Sequence, residues 1–218
     1  VCFNTMLFTF AALILTNKQT NMKKIILTVA AVFAFGFANA QESTGGKGFG
    51  SGDIFISGSV GFHSEKTGDQ KYSEFTIAPK VGFFVTENIA IGGKLGFSSS
   101  TETDFPGADI KGTVLSVGAF GRYYATPASD FSFFAELGAN YATMKEEQGP
   151  LEYEANGFNI GLAPGVSYFV SSNFALEASI GLLSYDTTKP DFDGAESTDT
   201  FDLNLNLNNI SLGLVYKF

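Results

Sequence analysis

FSFFAELGANYATM, residues 131–144, carries Phe131, Phe133, Ala135, Leu137, Ala139 and Tyr141 at every second position. Between them lie Ser132, Phe134, Glu136, Gly138 and Asn140. A period of two sends the two sets to opposite faces of a β-strand. One face is apolar throughout, and the other is mostly small or polar. A soluble sandwich or lipocalin would turn the apolar face inward and leave mid-strand Gly facing water, where it only weakens the strand. A membrane barrel inverts the assignment, with the apolar face against lipid and the small polar face filling a narrow lumen. Periodicity alone does not choose between them.

The same pattern recurs along the chain and predicts eight strands: 53–63, 72–86, 89–99, 112–126, 131–144, 154–170, 174–185 and 201–218. Ile54, Ile56, Val60 and Phe62 share the apolar face of the first, and Phe158, Ile160, Leu162 and Val166 that of the sixth. The opposite faces collect Ser57, Ser59, Gly82, Gly96, Ser116, Gly118, Gly161 and Gly165, with Phe84, Phe120, Phe134 and Phe169 as large exceptions. In the last strand Leu203, Leu205 and Leu207 are out of phase with Ile210 onward, which predicts a bulge near Asn208-Asn209.

Connection lengths favour the barrel. Long links at 64–71, 100–111, 145–153 and 186–200 alternate with short ones at 87–88, 127–130 and 171–173. Long loops at one end and tight turns at the other are the asymmetry of outer-membrane barrels, with both termini on the periplasmic side. The expected fold is all-β: an eight-stranded antiparallel up-and-down transmembrane β-barrel.

Composition agrees. Of 218 residues only 16% are charged, against about 25% in an ordinary soluble domain. The 22 acidic and 13 basic side chains leave −9, a balance that excludes nucleic acid as partner. A single cysteine, Cys2, excludes a disulfide scaffold and a thiolate metal cage.

The first 40 residues contain no Asp or Glu. Met22-Lys23-Lys24 opens a 14-residue apolar run, Ile25 to Ala38, which is too short for a membrane helix of about 20 residues. It closes on Ala38-Asn39-Ala40 before Gln41, the small-residue pattern of a signal-peptidase site. We therefore expect a signal peptide over 22–40, an upstream extension over 1–21 that is not part of the working protein, and a flexible Gly-rich periplasmic lead over 41–52. The barrel then occupies 53–218. Loss of residues 1–40 removes three Lys and Cys2, leaving 178 residues with a charge of −12.

The chain ends in ISLGLVYKF, with Ile210, Leu212, Leu214, Tyr216 and a terminal Phe218 in one register. This resembles the closing-strand signal read by the barrel assembly machinery of Gram-negative bacteria. From Asp53 to Phe218 the chain resembles the small outer-membrane β-barrel family of the OmpX, OmpW and OmpA-barrel kind. The resemblance implies eight strands, periplasmic chaperones and the assembly machinery as partners, and outer-membrane lipids and lipopolysaccharide as surroundings. It carries no catalytic motif. An OmpA-type peptidoglycan-binding domain would be expected after the barrel, and none follows Phe218 in this sequence.

Five charges fall on the lumen face: Lys80, Lys94, Arg122, Glu136 and Glu177. Each lies five to eight residues from a short turn, so they are expected at similar depth, with Arg122 and Glu136 as a cross-strand pair. They read either as a structural polar plug or as a selectivity ring in a narrow pore. His63 is the only histidine, beside Ser64 and Glu65, with Ser98 to Ser100 on another strand. Adjacent strand residues point to opposite faces, so the pattern gives little support to a lipid-modifying enzyme.

The long links are acidic: net −2 over 100–111, −3 over 145–154 and −5 over 186–202. They would keep the surface soluble, or bridge divalent cations to lipopolysaccharide; Asp191-Phe192-Asp193-Gly194 is a fragment of a calcium loop. The expected protein is a non-enzymatic barrel without cofactors, serving the envelope or contacting surface partners through these loops. A narrow solute channel is the alternative, and an outer-leaflet enzyme the third reading.

Overall fold

The computed structural model describes residues 46–103, 109–203 and 210–218. The signal-peptide segment, including Ala38, Ala40 and Gln41, and the bulge expected at Asn208-Asn209 lie outside these residues. Ten strand segments follow in chain order: β1 (Ile54–Thr67), β2 (Gln70–Phe84), β3 (Ile89–Thr103), β4 (Ile110–Tyr124), β5 (Phe131–Gln148), β6 (Leu151–Phe169), β7 (Phe174–Ile180), β8 (Leu183–Pro190), β9 (Thr198–Leu203) and β10 (Ile210–Lys217). All pairings are antiparallel. Hydrogen-bonded order runs β5-β4-β3-β2-β1-β10-β7-β6, and β6 pairs back onto β5. That closure abolishes the sheet edge, the condition for spanning lipid with strands.

The barrel has eight staves, because β7 with β8 forms one and β9 with β10 another. β6 pairs with β7 over Gly165–Phe169 and with β8 over Ala155–Leu162. Between them two residues of β6, Ala163 and Pro164, oppose three of the partner, Ile180 to Leu182. Pro164 has no N–H to give the ladder, so the bulge falls where a bond would be missing in any case. It also changes parity: Leu176 points outward before it and Tyr185 after it. In the adjacent stave Ile180 faces Ile210 and Leu183 faces Leu203.

The faces divide as a lipid-embedded barrel requires. Val60, Phe62, Phe133, Leu137, Leu176 and Leu212 stand exposed on the outside. Phe55, Phe84, Tyr124 and Phe169 are fully enclosed within the lumen. Small lumen residues accommodate these rings: a Cβ on Gly82 would collide with the ring of Phe55.

Two expectations are corrected. The links at 64–71 and 145–153 are not long loops; β1 and β5 continue past the apolar zone and turn back through Gly68-Asp69 and Gly149-Pro150. Both glycines have positive φ, +63° and +57°, as a two-residue hairpin turn with Gly in first place demands. Similarly β8 runs to Pro190 and β9 begins at Thr198, which shortens the fourth link to 191–197. The barrel therefore has a short-turn end and a hairpin end.

The second correction concerns the lead, which is not a flexible tether from Gly46 onward. Phe49 is 3% exposed and plugs the short-turn mouth, stacked on Phe84 at 4.6 Å and edge-on to Phe169 at 4.8 Å. Its N–H donates to the Pro127 carbonyl at 2.7 Å, and Lys217 Nζ donates to the Gly48 carbonyl at 2.6 Å. Gly48, at φ +105°, lies against the backbone of Pro127 and Ala128 so closely that a Cβ would collide. Only glycine fits that approach.

Candidate functional site in the barrel lumen

Lys80, Lys94, Arg122, Glu136 and Glu177 come from β2, β3, β4, β5 and β7, and all point inward. Their positions follow from register: Lys80 is the Cα partner of Lys94, and Arg122 of Glu136. Arg122 holds the two carboxylates together. Its Nε donates to Glu136 Oε2 and its Nη1 to Glu177 Oε1, each at 2.7 Å. Lys80 Nζ donates to both Glu136 oxygens at 2.9 Å. Lys94 Nζ is 3.7 Å from Glu136 Oε1, an ion pair beyond hydrogen-bonding range.

Aromatic rings enclose the centre of this network. The Arg122 guanidinium lies over Phe134 at 4.3 Å, with Phe120 at 5.5 Å and Phe55 at 5.8 Å. Tyr124 adds a hydroxyl within 2.8 Å of Arg122 Nη1 and donates to Glu177 at 3.2 Å. Arg122, Glu136 and Glu177 are all buried. Such a charge set persists in a low-dielectric core only when its members pair and hydrogen-bond one another. Towards the short-turn end it rests on the aromatic layer that Phe49 completes.

Towards the hairpin end the lumen changes character. Thr76, Gly96, Ser98, Ser116, Asn140, Asn159, Ser184 and Asp186 line it and are partly exposed. Their bonds run around the wall: Asn140 to Asn159 at 3.0 Å, Asn159 to Asp186 at 2.7 Å and Ser184 to Asp186 at 2.8 Å. Glu74 accepts from Tyr72, Thr76 and Ser98. Lys80 and Lys94, 24% and 17% exposed, form the floor of this polar well.

His63 stands at the well's rim. Its Nε2 is 3.8 Å from Glu65, its ring 5.8 Å from that of Tyr72, and the His63 and Glu65 side chains are mostly exposed. The hydroxyl of Ser98 is committed to Glu74 and Thr76, not to His63. At the hairpin tip of β5 and β6, Lys145 bridges Glu147 at 2.9 Å and Glu152 at 3.0 Å. These bonds raise the Lys145 pKa and lower that of Glu152. Among the described residues no group of three or more His, Cys, Asp or Glu is placed to hold a metal ion.

Of the closing-strand residues, Ile210, Leu212 and Leu214 face outward, and Tyr216 meets Phe174 at 4.9 Å and Phe218 at 5.0 Å. Sequence reasoning overlooked Phe49, Tyr124 and Lys217. Tyr124 and Lys217 have the inward parity of their strands, a signal that was available. Phe49 stands alone in a Gly-rich run and has no periodicity to mark it.

The neisserial surface protein NspA is 15% identical, over 76% of this chain and 97% of its own, with a TM-score of 0.46. OprG from Pseudomonas aeruginosa is 16% identical, over 78% and 98%, at 0.48. Ail of Yersinia pestis is 16% identical, over 77% and 99%, at 0.44. No curated protein matches the sequence. The model of the outer membrane protein beta-barrel domain matches residues 27–218, so the chain belongs to that family and resides in the outer membrane of a Gram-negative bacterium.

Proposed function

We propose that the protein is a non-conducting structural barrel of the outer membrane that presents acidic hairpins to the surroundings of the cell. The observation that carries this reading is the double closure of the lumen: the Arg122 network, and beneath it the aromatic layer completed by Phe49. A channel would need a path past both. The short-turn end, with both termini, faces the periplasm, and the hairpin end faces outward. This orientation sets Glu146, Glu147, Glu152, Asp191 and Asp193 where surface partners, or lipopolysaccharide through divalent cations, can reach them. His63 serves as a solvated rim residue without catalytic work.

Planar-bilayer recording of the refolded barrel tests the proposal. It predicts no unitary steps with the wild-type protein; discrete steps would refute it. Protease digestion of intact cells tests the orientation, with cleavage at the hairpins and protection of the Gly46–Gly52 segment expected.

A further inference from the structure

We infer that the outer wall of the barrel carries a lysine girdle at the hairpin end, which binds anionic phosphate headgroups of the surrounding membrane directly. The grip is tightest at the cross-strand pair Lys66 and Lys71. A repeated order of residue types marks the girdle. Read towards the hairpins, the outward positions of β1 run Phe62, Ser64, Lys66, and those of β2 run Phe75, Ser73, Lys71. β4 repeats the order with Leu115, Thr113, Lys111, and β5 with Tyr141, Thr143, Lys145. β8 does so with Tyr185, Thr187, Lys189. Each of these strands steps from an apolar side chain through a hydroxyl to an ammonium, the order of polarity met on leaving a bilayer.

Height agrees. The outward apolar run of β2 extends from Val85 to Phe75, about 33 Å of strand and about 25 Å of height at the usual tilt. That is the apolar band of an outer-membrane barrel. Ser73 then falls in the headgroup layer. Lys71 lies just beyond it, from where a lysine stem reaches back to phosphate.

Charge sorts by face. Glu65, Glu74 and Glu102 share β1 to β3 with Lys66 and Lys71 but have lumen parity, and Glu74 accepts from Thr76 and Ser98 inside. Lys66 and Lys71 are direct Cα partners, and both are exposed. Like charges directly opposite destabilise a sheet, and a shared anion removes the repulsion. Among the described residues Lys66, Lys71 and Lys111 form no ion pair. Three acids border them: Asp69 at the turn tip, Asp109, which accepts from Thr103, and Glu147, which is held by Lys145. The chain belongs to an outer-membrane family, so lipid headgroups cover the wall at this height. Which leaflet supplies them rests on the orientation proposed above; the contact itself does not. Unlike bridging at the acidic hairpins, it needs no divalent cation.

Spin-label EPR of the refolded barrel in phosphatidylcholine vesicles, with EDTA present, tests the contact. Trace spin-labelled phosphatidylglycerol should be motionally restricted in preference to spin-labelled phosphatidylcholine, by roughly two- to fivefold in relative affinity. The preference should largely disappear when Lys66, Lys71 and Lys111 are all replaced by Gln and persist when all three become Arg, with a heat-modifiable band confirming that each variant is folded. Equal restriction of the two labels in the wild type, or an undiminished preference in the Gln variant, overturns the proposal. Both leaflets carry the label, so a negative result leaves the orientation untouched, and a failed protease test on cells leaves this contact standing.

Discussion

Lys217, the penultimate residue, donates its ammonium to the carbonyl of Gly48 at 2.6 Å, 169 residues earlier in the chain. It also reaches the Gly46 carbonyl at 3.3 Å and lies 5.5 Å from the Phe169 ring, with 3% of its surface exposed. The closing strand thus both seals the barrel against β1 and clamps the segment that stops its mouth. The two ends of the folded chain stabilise each other.

Lys217→Met keeps the apolar stem and removes the donor, leaving the buried Gly48 carbonyl short of a partner. That loss costs about 1–3 kcal/mol. The stopper then undocks roughly 5- to 150-fold more often, and trypsin gains access to the bond after Lys47 in proportion. Digestion of the folded barrel followed by mass spectrometry measures this. An unchanged cleavage rate would show that the clamp contributes nothing.

Phe49→Ala removes the central ring of the aromatic layer, where a large-to-small change costs about 3–5 kcal/mol. Its effect is bounded by the docking energy of the stopper, since the staves do not depend on it. We expect faster cleavage after Lys47 than in Lys217→Met, a retained heat-modifiable band on gels, and no conductance. The lumen stays shut because the Arg122 network forms a second, independent barrier in series.

The staves were legible because lipid and lumen impose opposite polarity on alternate residues, and Phe131 to Tyr141 display that contrast without interruption. Beyond the apolar zone both faces are wet, so Glu65, Lys66, Lys71 and Tyr72 carry no alternation although their ladder continues to Thr67 and Gln70. The hairpins therefore read as loops. Parity also brought the five lumen charges onto one face, but it says nothing of a ring supplied from outside the strands. Phe49 enters through backbone contacts at Gly48, which depend on tertiary approach and leave no periodic trace.

Glu136→Ala deletes the carboxylate that receives Lys80, Lys94 and Arg122. Three cations then share Glu177 alone, and breaking a buried pair in this way costs about 3–5 kcal/mol. We expect a lower urea midpoint for unfolding. In combination with Phe49→Ala both barriers are lost, and small steps that favour anions should appear in bilayer recordings. Silence from the double variant, with a folded band on gels, would assign closure to something other than these two layers.

The hairpin tip of β5 and β6 supplies a dependence on pH. The bonds from Lys145 hold the Glu152 carboxyl below its usual value and raise the Lys145 ammonium above its own. For the lowered acid, the stabilisation is complete above the usual carboxylate range, about pH 4.3, and is lost as pH falls through the depressed value. For the raised base, it is complete below about pH 10.4 and is lost as pH climbs through the elevated value. Amide exchange at Gly149, corrected for intrinsic rates, should thus be flat from about pH 5 to 10 and quicken in stronger acid. Both groups are fully solvated, so the effect is local and weakens with salt. Lys145→Ala should remove the acid limb; an acid limb of the same size in that variant would assign it to other carboxylates of the hairpin.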